Sequence, residues 1–136
     1  MRHYEQIFIL KPTLTQEEIN GRIESIKENI TKNGGEILAF HDIGIRRLAY
    51  KVQKNPRGYY GVFYFKIQPS AIFELERLLR INEDVIKYLT IKYETKKELK
   101  AFQSMIDRAN GKTSETSTNK DEVKEEETSQ EENSEG

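Results

Sequence analysis

Thr15-Gln-Glu-Glu-Ile-Asn-Gly-Arg-Ile-Glu-Ser-Ile-Lys-Glu-Asn-Ile30 is the stretch that decides the fold. Thr15 and Glu18 have the spacing of a capping box. The Thr hydroxyl accepts from the backbone N–H three residues on, and the Glu carboxylate reaches back to the cap N–H. Leu14 and Ile19 occupy the staple positions on either side. Ile19, Ile23, Ile26 and Ile30 then recur at steps of four, three and four, which is one stripe of an α-helix. Asn33-Gly34-Gly35 ends the helix, glycine being able to take the left-handed cap. A helix with one apolar stripe needs a surface to bury it.

The flanking sequence supplies that surface. Residues 3–10 (His-Tyr-Glu-Gln-Ile-Phe-Ile-Leu) form a strand stopped by Lys11-Pro12. Residues 36–43 form a second strand, which 45–52 extend past Gly44. Asn55-Pro56-Arg57-Gly58 is a turn signal. Tyr59 to Ile67 is aromatic and β-branched, as a strand is. Pro69-Ser70 opens a second helix with Ile72, Leu75, Leu78 and Leu79 on one side, Asn82 interrupts it, and Val85 to Tyr93 is the last strand. The order β-α-β-β-α-β predicts an α+β, ferredoxin-like fold: a four-stranded antiparallel sheet with two helices on one face.

The 136 residues carry a net charge of −1, but unevenly. Residues 1–111 hold 19 Lys and Arg against 14 Asp and Glu; residues 112–136 hold three Lys against nine acids. From Gly111 onward no residue is aromatic and Val123 is the only aliphatic one. Such a segment buries too little apolar surface to offset its ordering entropy. Three parts are therefore expected: a ferredoxin-like binding domain over 1–95, a marginal helical extension over 96–110 with Leu99, Phe102 and Ile106 at helical spacing, and a disordered acidic tail over 111–136. The absence of cysteine excludes disulfides and thiol nucleophiles. No apolar run is long enough for a transmembrane helix, and Met1 to Leu10 lacks a signal-peptide pattern, so a cytoplasmic location is expected.

Catalysis finds little support. His3 and His41 are the only histidines, one at the chain start and one in a strand, and a base, its orienter and a pocket do not assemble from them. Gly34-Gly35 is a helix stop and not a phosphate cradle, Glu83-Asp84 sits at a helix–strand junction, and no metal-ligand spacing is present. No catalytic residue, metal, cofactor or small-molecule substrate is expected. An acylphosphatase-like enzyme on the same fold needs a Gly-rich loop after the first strand, where Lys11-Pro-Thr-Leu14 stands.

Binding residues are better represented. Arg46, Arg47, Tyr50, Lys51, Lys54, Arg57, Tyr59 and Tyr60 fall within 15 residues of the middle hairpin. Cations neutralise phosphates and tyrosines stack on unpaired bases, although solvated strands and turns use the same residues. Arg57-Gly-Tyr-Tyr-Gly-Val-Phe-Tyr64 partly matches the third-strand octamer of an RNA recognition motif, with Gly61 where the stacking aromatic belongs. Strand parity puts Tyr59, Gly61, Phe63, Phe65 and Ile67 on one face and Tyr60, Val62 and Tyr64 on the other. The more apolar first set should meet the helices, leaving Tyr60, Val62 and Tyr64 as a partner-binding sheet face. In the first strand the parity is open, since Phe8 and Leu10 compete with Ile7 and Ile9. If Ile7 and Ile9 face outward, the open sheet is apolar enough to need a protein partner or the segment 96–109 over it.

Met1-Arg-His-Tyr-Glu5, Asp42-Ile-Gly-Ile-Arg-Arg-Leu-Ala-Tyr50, Gly58-Tyr59-Tyr60 and Leu79-Arg-Ile-Asn-Glu-Asp-Val85 together resemble the bacterial small-subunit ribosomal protein S-six family, from residue 1 to about 95. The resemblance implies a structural, cytoplasmic, ribosome-bound component with no enzymatic activity. It implies partnership with ribosomal protein S-eighteen on the central domain of 16S ribosomal RNA. By position it makes Arg2, Tyr4, Arg80, Lys87 and Lys92 candidate RNA neighbours. Arg46, Arg47, Tyr50, Lys54 and Arg57 lie in the hairpin and face either RNA or the partner. The competing function is a ferredoxin-like regulatory or ligand-binding domain that dimerises through its sheet.

All strong apolar periodicity lies before residue 95, while Gly111 to Gly136 has almost none. Deleting the residues after Gly111 should therefore leave the denaturant midpoint nearly unchanged. A shift beyond that of an ordinary surface mutation, roughly 0.5 kcal/mol, would show that the tail packs.

Overall fold

In a computed structural model the described residues are 1–111. The expected acidic tail lies outside them. Residues 1–106 form one compact unit. The elements are β1 (Arg2–Leu10), α1 (Gln16–Lys32), β2 (Glu36–Val52), β3 (Asn55–Ile67), a short 3-10 turn (Pro69–Ala71), α2 (Ile72–Ile81), β4 (Val85–Tyr93) and α3 (Lys96–Ala109). All sheet pairs are antiparallel, in the order β2-β3-β1-β4.

Both halves of the capping box form at α1. The Glu18 N–H donates to Thr15 Oγ1 at 3.1 Å, and the Thr15 N–H donates to Glu18 Oε1 at 2.8 Å. Ile19, Ile26 and Ile30 are buried, with Ile23 packed at their margin. They meet Tyr4, Phe8 and Leu10 of β1, Phe63, Phe65 and Ile67 of β3, and Leu75 and Leu79 of α2. Phe8 and Phe63 stack at 5.9 Å between ring centroids, and Phe40 joins Phe63 at 4.7 Å. Gly61 makes this stack possible, because a Cβ there would stand 2.4 Å from Phe8 Cζ. Gln6, buried in β1, is satisfied by donating from Nε2 to Thr90 Oγ1 at 3.0 Å.

One feature differs from expectation. The hairpin reverses at Gln53-Lys54, not at Asn55-Pro56-Arg57-Gly58. Both turn residues have positive φ, 51° and 69°, as a two-residue hairpin turn requires. Asn55 Nδ2 donates to the carbonyls of Val52 and Gln53 and closes the turn. Pro56 then lies inside β3, in a stretch that projects past β1, whose pairing stops at Leu10 opposite Tyr59. With a neighbour on one side only, its missing N–H is tolerated.

The helical extension expected over 96–110 is α3, Lys96–Ala109. It has its own capping box, Thr95 with Glu98, the Glu98 N–H donating to Thr95 Oγ1 at 3.1 Å and the Thr95 N–H to Glu98 Oε1 at 3.0 Å. Phe102 and Ile106 are buried. The Phe102 ring lies 5.1–5.8 Å from those of His3, Tyr64 and Tyr93. These residues belong to the sheet face opposite α1 and α2, so α3 seats on the face that a two-helix reading leaves bare.

Loss of the α1 cap in Thr15→Ala should cost about 1 kcal/mol of unfolding free energy. Ile26→Ala, which opens a cavity in the main core, should cost about 2–5 kcal/mol. Equal and negligible shifts in chemical denaturation would show that α1 does not support the sheet.

Candidate RNA-binding and partner-binding surfaces

The face opposite α1 and α2 is divided in two. At one end α3 covers it. At the other, Ile9, Leu48 and Ile86 form a second apolar cluster flanked by Val52 and Tyr60. The open parity of β1 is thereby settled, with Phe8 and Leu10 in the main core and Ile9 on the other face. An open groove of about 230 Å³ runs over this cluster, lined by Ile7, Ile9, Leu48, Tyr50, Tyr60 and Leu89 among others. Leu89 is 52% exposed and Tyr50 66%. Gly58 lets the chain pass close beneath, since a Cβ there would lie 2.2 Å from Ile9 Cγ2.

The expected partner face of Tyr60, Val62 and Tyr64 shares one side of β3, but the three are not equally available. Val62 and Tyr64 are buried, Tyr64 against Phe102, while Tyr60 stays half-buried at the groove. Gly61, in the place of a stacking aromatic, lies on the helix side beneath Phe8. The octamer is therefore core packing and not a base-stacking platform.

Four of the five candidate RNA neighbours fall into two pairs. Arg2 and Lys92 meet at Glu94, with N···O separations of 3.7 and 3.0 Å. Arg80 and Lys87 line a polar pocket with Gln53 of the hairpin turn, a residue that sequence reasoning did not single out. Arg80 donates to the Tyr88 hydroxyl at 3.4 Å. Lys87 donates to the Tyr50 hydroxyl at 3.2 Å, its Nζ lying 5.2 Å from the ring centroid. Tyr4 stands apart. It is 5% exposed and stacks on Phe65 at 5.9 Å, which gives it a packing role and little surface to offer a ligand.

The hairpin concentrates cations. Between Asp42 and Glu74 there are six Lys and Arg and no acid. Arg47 lies directly opposite Arg57 in the β2–β3 register, and Arg46, Lys51 and Lys54 are exposed. Like charges directly across a ladder destabilise it, so folding alone does not favour this pair.

Comparison with known proteins follows the same lines. The family model "Ribosomal protein S6" matches residues 3–92. The chain belongs to the ribosomal protein S6 family. A Helicobacter acinonychis relative described as small ribosomal subunit protein bS6 is 58% identical over 114 residues, covering 84% of this chain and 80% of the relative. A Nitratiruptor relative of the same description is 56% identical over 109 residues, covering 80% and 85%. The crystal structure of 30S ribosomal protein S6 from Thermotoga maritima superposes with a TM-score of 0.68 at 30% identity, covering 76% of this chain and 97% of that one. Membership makes the chain a structural, non-enzymatic protein of the small ribosomal subunit, located on the cytoplasmic ribosome.

In this member of the S6 family, two phenols tie the structure to alkaline pH. Tyr93 donates to Glu5 Oε1 beside Phe102, and Tyr59 donates to Asp42 Oδ1. Burial, then the carboxylate partner, pushes both phenol pKa values up. A raised folded-state pKa contributes stability that is complete below the unfolded value of about 10. That stability is lost as pH rises through the folded value. Stability should therefore fall above about pH 10. Tyr93→Phe should cost about 1–3 kcal/mol at pH 7, because Glu5 loses its donor. It should also flatten part of the alkaline loss. Denaturant midpoints between pH 7 and 11 check both effects, and an unaltered alkaline slope would show that Tyr93 does not titrate in this linkage.

Proposed function

We propose that the chain binds the central domain of 16S ribosomal RNA jointly with ribosomal protein S-eighteen. The observation that carries this reading is the projecting end of the β2–β3 hairpin, where Arg46, Arg47, Lys51, Lys54 and Arg57 stand with no acid among them and Arg47 faces Arg57. A polyanion relieves the repulsion that this pair imposes. Arg80 with Lys87, and Arg2 with Lys92, add two smaller phosphate-binding points on the same body. Residues 1–111 are the binding unit in this reading and the acidic tail is an appendage.

The groove over Ile7, Ile9, Leu48, Tyr60 and Leu89 is the protein partner's seat. Its floor is apolar, and its lining includes Tyr50 of the hairpin and Lys87, so an apolar segment with RNA nearby fits it. A symmetric pairing of two bare sheets is disfavoured, because α3 already occupies part of that face.

Filter-binding titration with central-domain 16S RNA fragments, with and without S-eighteen, tests both halves. Arg47→Ala with Arg57→Ala should reduce the salt slope of log affinity by about two, roughly one per phosphate contact. Leu89→Asp should leave the fold intact and weaken binding only when S-eighteen is present, on the order of tenfold. Tight binding by the chain alone would refute the partner claim, and an unchanged slope would refute the hairpin as RNA contact.

A further inference from the structure

We infer that the first half of α3 extends the RNA-binding surface, with Lys96, Lys97 and Lys100 contacting backbone phosphates beside Arg2 and Lys92. The inference rests on the RNA-binding reading above and adds to it an element that the 3–92 family match does not reach. All three lysines are exposed. Within α3 no acid stands three or four residues from any of them, whereas Lys96 and Lys100 stand four apart from each other. A solvated helix stabilises itself with opposite charges at those spacings, and like charges there destabilise it. Cations in a first helical turn also face the like-signed end of the helix dipole. The stability of α3 does not account for these lysines.

The neighbouring acids are already committed. Glu98 Oε1 accepts the backbone N–H groups of Glu94 and Thr95, which hold its carboxyl below the usual carboxylate range. Glu94 is shared between Arg2 and Lys92. On the other side stands His3, whose pKa is lowered by burial and then by the charges of Lys66 and the chain's N-terminal amine. Lys66 is itself paired with Glu36 at 3.5 Å, so the exposed lysines of α3 are, among the described residues, the side-chain cations at this end that no ion pair engages. Phe102 and Ile106 anchor the helix, so the three lysines project from a fixed base and not from a loose extension. Lysine presents a point charge on a flexible stem and suits phosphate oxygens without reading base edges. The ligand class is the RNA backbone, bound without sequence preference.

The test uses the full chain with S-eighteen and central-domain 16S RNA. The triple variant Lys96→Gln, Lys97→Gln, Lys100→Gln keeps helix-forming side chains. Its salt slope should fall by about two to three, at roughly 0.7–0.9 per lost phosphate contact, and its affinity on the order of tenfold. The control Lys27→Gln with Lys32→Gln, on the far side of the sheet in α1, should change the slope little per charge removed. Lysine acetylation of the wild-type complex gives a readout independent of any variant: RNA should protect Lys96, Lys97 and Lys100. Equal slopes per charge in the two variants, or unprotected α3 lysines in a complex that binds, would overturn this inference alone. Failure of the wild-type proteins to bind the RNA would overturn the RNA-binding reading itself.

Discussion

The central strand β1 is apolar on both faces, and the rest of the structure answers that constraint. Phe8 and Leu10 look one way, Ile7 and Ile9 the other. Backbone hydrogen bonds to β3 and β4 satisfy its polar groups but cover neither face. On the first face α1 and α2 close over the phenylalanine stack. On the second, α3 covers the end near His3, and the end near Ile9 is left as a groove. An apolar surface left in this way favours a partner, so the incompleteness of one strand's burial links the fold to its assembly.

The parts of the fold legible in the sequence were those fixed by local chemistry. Thr15 and Glu18 could be paired by spacing alone, and four isoleucines at helical intervals left one reading. The hairpin turn was not legible, because neither Gln53 nor Lys54 advertises positive φ, while Asn55-Pro56 advertises a turn that the projecting edge of β3 absorbs. The parity of β1 was undecidable locally, since both of its faces are apolar and only the long-range register chooses between them. The spacing of Leu99, Phe102 and Ile106 announces α3, and the box that starts it, Thr95-Lys-Lys-Glu98, has the same form as at α1.

The candidate surfaces were legible as residue types and not as neighbourhoods. Arg80 and Lys87 are seven residues apart in sequence, yet they share a pocket with Gln53, which no composition argument selects. Tyr4, Val62 and Tyr64 show the opposite failure. Each has the chemistry of a binding residue, and each is spent on packing because parity and α3 place it inside.

The register of β1 also sets an order of events. His3 pairs with Tyr93, and Arg2 with Ile67, so of the four strands in this sheet the one that comes earliest must wait for the one that comes latest. At translation speeds of about 5–20 residues per second, β1 waits on the order of ten seconds before β4 exists. The helix α1 follows at once and can cover one face, but no local hairpin shields the strand's edges, because its sheet neighbours lie far along the chain. Loop-closure entropy must be met before those contacts give any return. In a nascent chain of this design the strand that waits longest for its neighbours is one that the finished fold buries on both faces.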